Sequence, residues 1–86
     1  MSVMFCYIDP FVIKQKVMEQ SDNGLYHLKA EVPLVDIIRY LATESKNYDK
    51  ITLSANSIQM ANGYASQIRD YIYLNYGLNK YDIEVI

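Results

Sequence analysis

Residues 3–31 read VMFCYIDPFVIKQKVMEQSDNGLYHLKAE, and the fold depends on how this stretch divides. Val3 to Ile8 is an unbroken apolar run stopped by Asp9-Pro10; it is too short for a helix and fits a strand buried on both faces, hence one at the centre of a sheet. Phe11 to Gln20 alternates, with Phe11, Ile13 and Val17 on one side and Lys14, Lys16 and Gln20 on the other, so a half-buried strand is expected. Gln15 and Met18 break the alternation. Asn23-Gly24 is the favoured two-residue hairpin turn because both central positions tolerate positive φ. That turn pairs Asp22 with Leu25 and sets Lys16 opposite Glu31, Val17 opposite Ala30 and Gln20 opposite His27. The third strand, Leu25 to about Glu31, then has one apolar and one polar face.

Downstream the period changes. Pro33 suits the first turn of a helix, where its missing N–H costs nothing, and Leu34, Ile37, Ile38, Leu41 and Ala42 follow at helical spacing to about Ser45–Asn47. Lys50 to Ser54 reads as a short strand with Ile51 and Leu53 facing alike. From Ser57 or Gln59 to Tyr76 a second helix is expected, with Ala61, Ala65, Ile68 and Ile72 on one stripe. Gly77 stands where a helix C′ residue belongs, and Leu78 can pack back on the last turn. Tyr81 to Ile86 alternates as a final strand.

The element order β-β-β-α-β-α-β makes a single α/β domain over residues 1–86. Two consecutive hairpins set three strands antiparallel, and two right-handed crossovers add parallel ones, so a mixed five-stranded sheet of order 3-2-1-4-5 is expected. Both crossovers move the same way across the sheet, which puts both helices on one face. This order, with Asp9 closing the first strand, is similar to the ribonuclease H-like core and to the related half-domain of actin-like ATPases. That resemblance implies metal-binding carboxylates at the first strand, on the first helix or fourth strand, and later in the chain. Asp9 matches the first position. The fourth strand ends Leu53-Ser54-Ala55-Asn56 without a carboxylate, and the first helix offers only Asp36 near its start and Glu44 near its end. Two-metal hydrolysis needs several converging anionic oxygens. The phosphate-cradling turn of the actin-like domains would need glycine where Pro10 and Phe11 stand. The chain is therefore expected to be non-catalytic, with no cofactor and no metal.

Composition narrows the classes further. The 86 residues carry 8 Lys plus Arg against 10 Asp plus Glu, a net charge of −2, with 51% apolar residues. Disorder is not expected of such a chain. A single cysteine, Cys6, excludes a disulfide scaffold or a two-cysteine zinc site. Mild acidity disfavours a protein that wraps phosphate backbones. No export signal and no run of about 20 apolar residues is present, so a cytoplasmic protein that does not enter a membrane is expected, of a cell or of an infecting virus.

Individual candidates have plain structural readings. Asp before Pro initiates turns through its side chain. His27 is expected in solvent, and Cys6 as a small core hydrophobe. Ser54, Asn56 and Ser57 precede a helix and suit capping, with anion binding at the helix N-terminus as the alternative. Nine tyrosines are the compositional anomaly; Tyr71, Tyr73 and Tyr76 on one helix, and Tyr81 after it, cannot all enter so small a core, and tyrosine is enriched at interfaces. Met4, Cys6 and Ile8 are expected under the helices with Ile13 and Val17. Val3, Phe5 and Tyr7 then look out from the uncovered sheet face beside Val12, Lys14 and Lys16. These six residues form the expected partner-binding face of a binding or assembly domain, with a second copy or another protein as partner. The alternative is a degenerate ribonuclease H-like domain that recognises nucleic acid through Lys14, Lys16 and Lys29.

Overall fold

The computed structural model describes residues 3–55, 57, 59, 61–76 and 82–85. β1 (Val3–Ile8), β2 (Lys14–Gln20) and β3 (Tyr26–Pro33) are followed by a 3-10 turn, Leu34–Asp36, and α1 (Ile37–Glu44). After a second 3-10 turn, Ser45–Asn47, come β4 (Lys50–Ala55), a π-helical turn at Ala61–Ala65, α2 (Ser66–Tyr76) and β5 (Asp82–Val85). β1 pairs antiparallel with β2 and parallel with β4, and β2 pairs antiparallel with β3.

The expected mixed five-stranded sheet of order 3-2-1-4-5 is corrected. The described side chains pack on a four-stranded mixed sheet, β3-β2-β1-β4, while Asp82–Val85 is a four-residue segment in parallel backbone register beside β4. Its expected ends at Tyr81 and Ile86, the Gly77 cap and the Leu78 contact lie outside the described residues.

One side of the sheet carries the core. Met4, Cys6, Ile8 and Val17 meet Ile51 and Leu53 of β4, Ile37 and Leu41 of α1, and Ala65, Ile68 and Ile72 of the second helical stretch. Both helical segments therefore lie on this one face. The molecule's shortest extent, 21 Å, matches one helix layer on one sheet layer at about 10 Å each.

Three local readings change with physical cause. β2 starts at Lys14 rather than Phe11, because residues 11–13 form a turn in which the Val12 amide donates to the Asp9 carbonyl at 3.2 Å. Ile13 is consequently in solvent rather than under the helices. Pro33 ends β3 with extended φ −57° and ψ 145°, and the α-helix begins only at Ile37.

The hairpin turn is longer than expected. The Gly24 amide donates to the Ser21 carbonyl and the Ser21 amide to the Leu25 carbonyl, enclosing three residues. Among the described residues Gly24 alone has positive φ, +85°, as in a type I turn closed by a glycine in the left-handed region. This turn sets Gln20 opposite Tyr26 and Glu19 opposite His27, one residue off the expected register. A bulge between Val17 and Met18 restores it, leaving Val17 opposite Ala30 and Lys16 opposite Glu31. The turn geometry and the core each fix their own register, and one unpaired residue on β3 absorbs the difference.

Candidate functional site

The side of the sheet opposite the core carries no helix among the described residues. The pleat places Val3, Phe5 and Tyr7 of β1 on it. Register brings Met18 beside Phe5 and Lys16 beside Tyr7 from one flank, and Thr52 and Ser54 from the other. Phe5 makes an edge-on contact with Tyr26, ring centroids 6.0 Å apart and planes at 64°, an arrangement that aromatic pairs favour. Leu28 stands next to Met18. Val3 is buried yet lies outside the cluster under the helices. Phe5, Tyr7 and Met18 are half-buried, and Tyr26 and Leu28 about half exposed.

Five of the six expected face residues thus come together: Val3, Phe5, Tyr7, Lys14 and Lys16. Val12 does not join them, because it belongs to the β1–β2 turn. Met18, Tyr26 and Leu28 belong to the face as well; Met18 shares the outward parity of Lys14 and Lys16, whereas Tyr26 and Leu28 escape the alternation of β3. The bulge is the reason. Beyond it the extra residue, Lys29, exchanges the inward and outward positions of β3, which turns Leu28 and Tyr26 outward, while β2 alternates without interruption.

The lysines separate. Lys14 and Lys16 are exposed on the uncovered side. Lys29 contacts the carboxylates of Glu19 and Glu44 at 3.9 and 3.8 Å, and its ammonium lies 5.5 Å from the centre of the buried Tyr48 ring. Hydrogen bonding to Tyr48 raises its pKa, outweighing desolvation. Burial raises the Tyr48 pKa in turn. This clip joins β3 to the end of α1.

Asp9 serves its turn, its carboxylate accepting the Phe11 amide at 3.0 Å. Among the described residues no group of three His, Cys, Asp or Glu is placed to hold a metal ion. His27 is exposed, 4.0 Å from the Glu19 carboxylate. Ser54 is half-buried at the end of β4, and Asn56 lies outside the described residues. No helix among the described residues is long and apolar enough to cross a membrane.

Cys6 is fully buried at the centre of the core, and desolvation pushes its thiol from 9.0 up to about 12. The folded protein keeps this proton where the unfolded chain releases it. The associated stability is fully present below about pH 9 and is lost as pH rises toward 12. Denaturant titrations at about pH 8 and about pH 10 should therefore show a larger loss for the wild type than for Cys6→Val. Equal losses would contradict this placement of the thiol.

No family model, no curated protein and no solved structure matches this chain.

Proposed function

We propose that the chain is a non-catalytic assembly domain whose uncovered sheet face packs against the same face of a second copy. The observation that carries this reading is that Phe5, Tyr7, Met18, Tyr26 and Leu28 share a face on which no described helix packs. A central strand apolar on both sides implies a layer on both sides, and a second sheet at about 10 Å supplies one. The molecule's broader cross-section, 31 × 27 Å, accommodates the roughly 800 Å² that each partner gives up in a standard interface. Charge fits as well. Lys16 and Glu31 are neighbours at one end of the face, so a copy related by a two-fold axis can oppose lysine to glutamate while the lysine stems stay at the rim.

Recognition of nucleic acid by a ribonuclease H-like relative is the other reading. It is disfavoured because Lys29 is engaged by two carboxylates and a tyrosine, which leaves Lys14 and Lys16 as its basic pair.

Phe5→Lys puts an ammonium at the centre of the face. Light scattering after gel filtration should show a lower-order species than wild type, with an unchanged circular dichroism spectrum. A wild type that is monomeric at high concentration, or a Phe5→Lys protein of wild-type mass, overturns the proposal. Binding to oligonucleotides that falls steeply with salt would transfer support to the other reading.

A further inference from the structure

Two other surface features fit one another. The first is the β1–β2 turn, where Phe11 and Ile13 are 78% and 86% exposed. Apolar side chains so far from any neighbour usually sit on mobile loops, but this turn is tied down. The side-chain amide of the fully buried Gln15 donates to the Asp9 carbonyl at 3.0 Å and accepts from the Asp9 amide. The Phe11 amide donates to the Asp9 carboxylate and the Val12 amide to the Asp9 carbonyl. A tip held this way has little conformational entropy left to lose on binding.

The second feature is a groove of about 290 Å³ between α1 and the second helical stretch, with Leu34, Ile38 and Ile68 in its walls and Tyr64 and Tyr71 beside them. None of its lining residues is charged, so it suits an uncharged, apolar occupant. Its volume falls just below the range of about 300–1,000 Å³ for small-molecule sites, and one or two side chains would fill it. Tip and groove adjoin one another: Lys14 pairs with Pro33, and the next residue, Leu34, lines the groove. The exposure of Phe11 and Ile13 shows that the tip does not fill its own groove.

We infer that the groove between the helices receives the Phe11–Ile13 turn of a second copy of this chain, and that two copies exchange tips about a two-fold axis. Adjacency of knob and hole favours this closed form, because a reciprocal contact doubles the buried surface and leaves neither half unsatisfied. The inference extends the assembly reading above to a different surface, and the two can fail separately. It also gives Tyr64 and Tyr71 a role as an amphipathic rim.

The test uses two variants at exposed positions: the tip double variant Phe11→Ser with Ile13→Ser, and the groove variant Tyr71→Glu. Each should associate about tenfold more weakly than wild type, or lose one association step. An equimolar mixture should recover association in part, because a pair of unlike variants restores one of the two contacts, an intact tip in an intact groove. Unchanged melting temperatures identify the effect as one on contact rather than on folding. A tip variant with wild-type mass, a mixture without recovery, or a monomeric wild type overturns the inference. If the tip variant loses association while Phe5→Lys keeps it, the tip contact stands and the sheet-face contact falls. If Phe5→Lys loses association while the tip variant keeps it, the sheet-face contact stands and the tip contact falls.

Discussion

Replacing Gln15 with leucine is expected to lower the unfolding free energy by about 2–4 kcal/mol, although leucine is the more hydrophobic residue and the site is fully buried. The loss comes from Asp9. Its amide donates to Gln15 Oε1, and its carbonyl accepts from Gln15 Nε2, so the side-chain amide replaces the backbone partner that the β1–β2 turn cannot supply. With leucine the Asp9 amide has no acceptor in a partly buried site. An unmade bond of this kind costs about 1–3 kcal/mol, more than the extra apolar contact returns. For a domain of this size the melting temperature should fall by roughly 10–20 °C. Gln15→Glu should be intermediate at neutral pH, because an ionised carboxylate still accepts from the Asp9 amide but cannot donate to its carbonyl. Hydrogen exchange at the Phe11 and Val12 amides should speed up in Gln15→Leu, since the clasp orients the turn that protects them. A melting temperature unchanged from wild type would show that Asp9 finds other partners.

Gln15 also marks where sequence reading stops. Periodicity registers it as a polar break in an alternating strand, and nothing in the spacing shows that an amide six residues on closes the turn at Asp9. For the same reason alternation puts Ile13 under the helices when it stands in solvent. Strand β1, by contrast, is legible to the residue, because an apolar run bounded by Asp-Pro leaves no competing element. The hairpin is legible in its outer half, where Val17 faces Ala30 and Lys16 faces Glu31. Near the turn it is not, because a two-residue and a three-residue connection around Asn23-Gly24 differ by one position of register. That difference decides which residues share the uncovered face. Tyr7, Lys16 and Met18 follow from alternation alone, whereas Tyr26 and Leu28 follow only once the bulge is known. Pro33 is ambiguous for a related reason: its fixed φ suits both a helix start and the end of an edge strand, and only pairing with Lys14 separates them.

Leu41→Ala is expected to cost about 2–5 kcal/mol, and Ile38→Ala clearly less. Both residues lie on the one apolar stripe that the helical period of α1 predicts, and periodicity treats them alike. Leu41 is fully buried against the sheet-side core. Removing its isobutyl group leaves a cavity inside a buried cluster whose other members are held by the sheet and by both helical segments, so little can collapse into it. Ile38 is half-buried and borders the groove between the helices. Truncation there widens a space that already opens to solvent, so the loss is confined to the contacts on its inner side. Denaturant titrations of dilute protein, where self-association does not contribute, measure both values on one scale. A large difference places the boundary between core and groove within a single turn of α1, which is what a receptor for another chain's side chains requires. Equal costs would mean that Ile38 is packed as fully as Leu41 in solution, that the helices close over the groove, and that the Phe11–Ile13 turn has no cavity of this kind to enter.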